Sequence, residues 1–462
     1  MTLAPAARPR RAARLISRLE RSGISLRMAR GAVWSVGGNA AGMAVSFVVQ
    51  VILARSLAAT QYGVYAYALA WVNVAVLIGK LEFDTAAIRF VGAYDGQRDD
   101  AKLHGFLRYA GGMVARVAIV VAVVAALGVW LFRSHLPDTV GGLAIGGAAF
   151  LVPLTALMMF GGSVLQGFQR VPQSQLPPLL LRPAVFGAGV LLATLGLGRT
   201  LDVGAAITLN AFATAVALAA SLFFVLRALP PGARHAAPAF EKPVWTRAVR
   251  GFLVISAAQL ILSQQADILV IGTMLGPRDA GLYSVASQLA TLIGFAATAI
   301  VFVVLPVVSS LYAQKRRAEL QRLVVRIVQA CAAVSIPITA LLFLGGHFIL
   351  GWYGADFEDA RVLMMILSSA QLFHATIGII SGFLLTMTGH EWEASRVIVG
   401  TALLNLALVF VLTPLLGAPG AALATALAGI VKLSLLWWYA RRFVGITVLP
   451  YLPAVAQAEG PA

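Results

Sequence analysis

Apolar runs long enough to cross a bilayer follow one another along almost the whole of this chain. Twelve can be read, near residues 31–53, 62–85, 109–132, 140–163, 179–197, 203–226, 251–275, 281–308, 325–350, 361–387, 395–414 and 419–440. About 20 apolar residues in a helix span a hydrocarbon core of about 30 Å. Inside that core every backbone polar group must be satisfied, and a lone apolar strand cannot close a barrel. The sequence therefore predicts an all-α polytopic membrane protein with about twelve transmembrane helices. Only 11% of the 462 residues are charged, against roughly 25% in soluble proteins. No segment outside the runs is long enough for an independent catalytic domain.

The net charge of +17 would suggest nucleic acid in a soluble protein. In this chain the charge sits between spans and orients them, so no nucleic-acid partner is expected. With the N-terminus in the cytoplasm, the cytoplasmic segments hold 27 Lys and Arg and the opposite loops hold 5, namely Arg55, Arg133, Arg199, Arg278 and Arg361. That asymmetry predicts both termini inside and an even number of spans. Arg11, Arg14, Arg18 and Arg21 follow helical spacing beside Leu15, Ile16 and Leu19. Residues 8–30 then read either as an amphipathic helix on an anionic leaflet or as a basic tail that only enforces topology. The Arg-rich start runs into a full-length span without a small-residue cleavage site, which predicts no cleaved signal peptide. Cys331 is the single cysteine and lies in an apolar run, so neither a disulfide framework nor a thiolate metal site is expected.

The chain also repeats itself. Ile52–Tyr65 ends one apolar run in a polar turn and opens the next with Gly63-x-Tyr65; Ile271–Tyr283 does the same with Gly281-x-Tyr283, 218 positions later. Val203-Gly-Ala-Ala206 and Pro419-Gly-Ala-Ala422 open spans six and twelve, 216 apart. Two halves of six spans enter from the same side. They are expected as two six-helix lobes related by a pseudo-twofold axis along the membrane normal, around a central cavity, an arrangement typical of transporters. The predicted organisation is a basic cytoplasmic segment (1–30), a first lobe (31–227), a Pro-rich cytoplasmic linker (228–250), a second lobe (251–440) and a cytoplasmic tail (441–462).

Polar residues inside spans are costly and are functional candidates by default. Span one carries Asn39, Gly42, Ser46 and Gln50 on one helical face; shifted by 217 they fall on Ser256, Gln259, Ser263 and Asp267 of span seven. These positions, with Gln264, read as the lining of a cavity across the axis, the alternative being close helix packing through small residues. Arg116 lies two turns into span three, where a guanidinium facing the cavity would suit an anionic substrate such as a diphosphate. Arg89, Arg182, Arg250 and Arg396 read as a basic rim at the cytoplasmic mouth. His374, in span ten near Gln371, could relay a proton. Lys80 and Asp84 form an i,i+4 pair at the end of span two. The sequence has no G-x-x-x-x-G-K-[ST] loop, no H-E-x-x-H and no clustered His/Cys spacing, so neither ATP hydrolysis nor a metal centre is expected.

The stretch from Ile52 to Tyr65, followed by Asp84-Thr-Ala-Ala-Ile-Arg89-Phe90, resembles the polysaccharide-transporter branch of the multidrug/oligosaccharidyl-lipid/polysaccharide (MOP) flippase superfamily. Arg55, Tyr62, Gly63, Tyr65, Asp84, Thr85, Ala86, Arg89 and Phe90 match its pattern, as do Leu275-Gly276 and Gly281-x-Tyr283. Ala58-Ala59 stands where that branch usually has Leu-Gly. The resemblance covers residues 31–440. It implies no enzyme but a flippase. The substrate would be an undecaprenyl-diphosphate-linked oligosaccharide of a bacterial inner membrane, moved by alternating access for capsule, O-antigen or exopolysaccharide assembly. Partners would be the bilayer, the lipid-linked glycan, and polymerase and chain-length or export proteins. No cofactor is implied beyond a coupling ion, H+ or Na+, for which Asp267 and His374 are the candidates. The competing readings are a cation-coupled multidrug exporter of the sister branch, a membrane-embedded glycan polymerase or ligase, and a scaffold.

Overall fold

The computed structural model describes residues 26–131, 146–196, 201–314, 316–387 and 391–445. Residues 8–25 of the segment read as an amphipathic helix or a basic tail, and residues 446–462 of the C-terminal tail, lie outside the described residues. Among the described residues nine helices are long and apolar enough to cross a membrane. Gly37–Lys80 contains both spans one and two, and eight others supply spans three to six and nine to twelve. Span seven is formed by Lys242–Ile261 and Gln264–Met274, and span eight by Pro277–Ala313. Most of the buried apolar residues form one core that runs through both halves of the chain, and Leu385, Ala394, Val397, Leu436 and Ala440 form a small second cluster.

The joint between spans one and two is Ala58, with φ 57° and ψ 170°. The equivalent position of the second half is Gly276, at φ 106°. The repeat therefore places Leu57-Ala58, not Ala58-Ala59, on Leu275-Gly276, and an alanine occupies a glycine conformation. Such backbone costs about 1–3 kcal/mol in a residue with a Cβ. Ala58→Gly is accordingly expected to raise the thermal midpoint of the detergent-purified protein; a lowered midpoint would show the alanine to be unstrained.

The two turns meet. A Cβ placed on Gly281 would lie 2.6 Å from the Ala59 carbonyl oxygen and 3.0 Å from Gly63 Cα. Around this glycine contact the two halves are joined at the end where these turns lie, the distal end. Phe47 packs edge-on against Tyr353 at 6.0 Å and Tyr62 against Phe357 at 5.7 Å. The Tyr67 and Thr273 hydroxyls are 3.1 Å apart across the same seam.

At the opposite end, span two stops at Lys80. Leu81 and Glu82 turn the chain with left-handed backbone, and a second helix, Phe83–Gln97, runs on. Lys80 Nζ lies 2.6 Å from Glu82 and 2.8 Å from Asp84, both buried. This ties the break with the expected Lys80–Asp84 pair and one further carboxylate.

The Pro-rich linker is not a loose tether. Ala239 N–H donates to the Ala101 carbonyl at 3.0 Å, and His104 Nδ1 lies 2.7 Å from the Ala236 carbonyl. Trp245 is fully buried against Phe106 and Tyr109, 5.3 and 5.5 Å between ring centroids. Its indole N–H donates to the Tyr94 hydroxyl, which donates in turn to Glu241, both at 2.9 Å. Lys102, 3.0 Å from Glu241, holds that carboxyl below the usual carboxylate range, and the Tyr94 hydrogen bond adds to it.

Candidate functional site

Span seven was expected as one helix, and the structure breaks it. Ser263 adopts extended backbone (φ −92°, ψ 156°), and its hydroxyl caps the following helix by accepting from Gln265 N–H at 3.3 Å. A serine that caps a helix competes with helix continuation through the same residue. The break leaves Asp267 in the first turn of Gln264–Met274, with the positive end of the helix dipole beside its carboxylate.

Asp267 is 1% exposed. Its Oδ2 accepts from the Tyr283 hydroxyl at 2.5 Å and from the Thr425 hydroxyl at 2.9 Å; the latter also lies 3.3 Å from Asn405 Oδ1. Spans seven, eight, eleven and twelve thus converge on one carboxylate. Oδ1 of Asp267 and Oε1 of Gln264 are buried with no hydrogen-bond partner among the described residues. Both residues line a pocket of about 300 Å³, together with Ser263, Gln371, His374 and Lys432. Among the described residues no ion pair joins Asp267 to Lys432. An apolar membrane interior does not support two separated charges without polar surroundings, so this is a polar chamber within the second half. It can exchange a cation or proton at the carboxylate, and its amides and ammonium can bind hydroxyl groups or an anion.

The structure brings Ser263, Gln264, Asp267 and His374 together here. In the first half Gln50, the repeat partner of Asp267, is tied up differently. Its Oε1 accepts from the Tyr62 hydroxyl at 3.0 Å, and Gln288 of span eight donates to the same hydroxyl at 3.2 Å. Asn39 and Ser46 are half-buried on span one. The Gln259 side chain lies outside the described residues.

Two placements differ from expectation. Arg182 does not join the rim. It lies eleven residues beyond the Val171 end of its span and donates to Asn210 Oδ1 from Nη2 at 3.0 Å and from Nε at 3.3 Å. Asn210 in turn donates to Tyr65 at 2.7 Å. The neutral carboxamide satisfies the guanidinium inside the first half, where a count by span edges had set it at the surface. Arg116 does not reach the Asp267 pocket. It is exposed, and its Nε donates to the Gly112 carbonyl one turn back, 3.0 Å away. Arg89, Arg250 and Arg396 are exposed at span ends; Arg89 stacks on Phe90 and Arg396 on Trp392.

Sequence reasoning passed over Tyr283, Asn405, Thr425 and Lys432 as site residues. Lys432 carried a usable signal, a lone cation in an apolar run. Asn405 and Thr425 carried only weak polarity in spans eleven and twelve. Among the described residues no group of three His, Cys, Asp or Glu could hold a metal ion.

The family described as polysaccharide biosynthesis protein matches residues 28–312, and the MatE family matches residues 253–411. Among curated proteins the chain is similar to the probable low-salt glycan biosynthesis flippase Agl15 of Haloferax volcanii, at 23% identity over 421 residues, 91% of this chain and 84% of the relative. Among solved structures it resembles the lipid II flippase MurJ in an inward closed conformation, with a TM-score of 0.67, 13% identity, and 87% of this chain and 86% of that one covered. It also resembles the MATE multidrug transporter DinF-BH, with a TM-score of 0.61, 16% identity, and 91% and 97% covered. At these identities the structural likeness is one of fold. The match of the first family over more than half of the chain places this multi-pass membrane protein, a transporter and not an enzyme, in the polysaccharide biosynthesis family of the MOP flippase superfamily.

Proposed function

We propose that this protein flips a lipid-linked oligosaccharide across a bacterial inner membrane by alternating access, with both termini in the cytoplasm. The observation that carries the reading is the polar pocket around Asp267, Gln371, His374 and Lys432, set inside a bundle of this family. Amide and ammonium donors suit the hydroxyl groups and diphosphate of an undecaprenyl-diphosphate-linked glycan, while the prenyl tail stays in the bilayer. The glycan flippase among the relatives supports the same substrate class. The 27-to-5 asymmetry of basic residues supports the orientation. Capsule, O-antigen or exopolysaccharide assembly would be the destination, with a polymerase and chain-length or export proteins as partners. The two lobes, residues 31–227 and 251–440, would rock about the seam at Gly63 and Gly281.

An ion gradient would drive the cycle through Asp267. A buried carboxylate with one oxygen unpartnered and no ion pair is a place for a proton or a metal cation. Either H+ or Na+ fits Oδ1, with His374 able to relay a proton in the first case.

A second reading has one observation in its favour. The MatE family match covers residues 253–411, the part of the chain that carries Asp267. A cation-coupled exporter of small cationic drugs would use that carboxylate too, but Lys432 in the same pocket repels such a substrate. The test is deletion of the gene in its host. Accumulation of lipid-linked glycan on the cytoplasmic leaflet is the expected result. Drug sensitivity without such accumulation would replace the flippase reading with the exporter reading.

A further inference from the structure

Three helices wall the pocket around Asp267 over the same two turns. Span eight contributes Tyr283 and Thr291, span ten Gln371 and His374, and span twelve Thr425, Gly429 and Lys432. These spans start at the distal end, their helices at Pro277, Arg361 and Ala418. Tyr283 and Thr425 stand six and seven residues from those starts, whereas Thr291, His374 and Lys432 stand 14, 13 and 14 residues from them. At 1.5 Å per residue the first group lies about 10 Å along the helices and the second about 20 Å. The pocket therefore has two ends.

Asp267 holds the distal end, where Tyr283 and Thr425 both donate to its Oδ2. Its Oδ1 and the Gln264 Oε1 are acceptors with no hydrogen-bond partner among the described residues. Lys432 holds the other end, at the middle of the Ala418–Val444 span. Among the described residues no carboxylate pairs with its ammonium. A cation at that depth is costly and marks the path of an ion or a substrate. Span ten changes to a π-helix over His374–Gly378, at the same level; such bulges are frequent at functional sites. Between the two ends the wall recedes, for a Cβ on Gly429 would meet no atom within 4 Å.

We propose that the pocket holds two ligands together, an oxyanion at Lys432 and the coupling cation at Asp267, each strengthening the binding of the other. This rests on the flippase reading, under which the oxyanion is the diphosphate of the lipid carrier or the carboxylate of an acidic sugar. A volume of about 300 Å³ is at the lower limit of small-molecule sites. It takes one such group and leaves the rest of the glycan outside.

The coupling follows from the charges. With Asp267 ionised, an anion at Lys432 meets a second negative charge about 10 Å away, two helical turns along span twelve. A cation at Oδ1 cancels that repulsion. Two unit charges at about 10 Å, in an effective dielectric of about 20, change a binding constant about tenfold. Such coupling is reciprocal, so the bound anion strengthens the cation by the same factor. Substrate and ion load as an electrically balanced pair.

The test is calorimetric titration of the full chain in phosphatidylcholine nanodiscs with inorganic pyrophosphate as the probe. The buffer cation is choline and the pH about 8, well above the ordinary carboxylate range. Asp267→Asn removes the repelling charge and is expected to bind pyrophosphate about tenfold more tightly than wild type. Lys432→Gln is expected to weaken binding at least tenfold, and Lys432→Arg to retain most of it. Gly429→Leu, which fills the middle of the pocket and leaves both charges in place, should weaken binding at least fivefold. Glucuronate titrated in parallel separates the two sources: the tighter of the two probes identifies the group, and binding of neither overturns the proposal. Equal affinity in wild type and Asp267→Asn, or undiminished affinity in Lys432→Gln, overturns it as well. Transport of a lipid-linked glycan is measured on the same protein. Normal transport without the Asp267→Asn effect overturns the paired loading alone. The effect without transport overturns the flippase reading and leaves the two-ended site standing.

Discussion

Asp267→Asn is expected to abolish the response of transport to an imposed ion gradient and to slow transport at least tenfold. Asparagine matches the size of the side chain and can still accept from Tyr283 and Thr425, so insertion and folding should survive. The change removes the charge that draws a proton or cation to Oδ1. Hydrogen bonds to an ionised group contribute about 1.5–3 kcal/mol, and every 1.4 kcal/mol is a factor of about ten. The loss of the charge-assisted pair alone therefore supports the tenfold figure. The measurement is uptake into proteoliposomes under H+ and Na+ gradients in turn. Whichever gradient stimulates the wild-type protein and not the variant identifies the coupling ion. A variant with the wild-type rate and the wild-type gradient response would remove Asp267 from the coupling role.

Gly281→Val is expected to damage the molecule strongly. A Cβ at 281 meets the Ala59 carbonyl oxygen and Gly63 Cα, which are backbone atoms and cannot rotate away. Overpacking of a well-packed interior costs about 1–3 kcal/mol even where side chains adjust. For halves of this size each kcal/mol moves the thermal midpoint by about 2–4 °C, so a drop of roughly 5–10 °C is predicted in detergent. The seam at the distal end should open as well, exposing Tyr62 and Tyr353 to aqueous reagents. Gly63→Val, on the other side of the same contact, should behave alike. An unchanged midpoint in both variants would mean that the glycine contact does not hold the halves together.

The twelve spans and the repeat were readable in the sequence because each rests on a continuous apolar run and on local turns. The Gly-x-Tyr turns marked the ends of the spans, though not that the two glycines touch each other. Asp267 stood out because a carboxylate in a span is costly wherever it points. Its partners did not, since tyrosine, threonine and asparagine are ordinary in transmembrane helices and only folding brings Tyr283 and Thr425 to one oxygen, with Asn405 beside Thr425. The break at Ser263 was hidden for a related reason. Ser263-Gln264-Gln265 is polar enough to line a cavity, and nothing local shows that the serine caps a new helix. Arg182 was misplaced because counting basic residues by span edges has no way to see a carboxamide waiting at Asn210. The prolines marked the linker but not its packing, because Trp245 finds a pocket made by residues about 140 positions earlier.

That tryptophan has a consequence for how the protein is made. Phe106 and Tyr109 belong to a helix that leaves the ribosome long before Trp245 does. Until the linker has been synthesised, the aromatic faces of those two residues, the Tyr94 hydroxyl and the Lys102 ammonium have no cover on that side. Domains generally fold as units during synthesis, but here the first six spans can be inserted without being complete. Their last piece is the beginning of the seventh, so the folding of the first half has to wait for the chain to commit to the second.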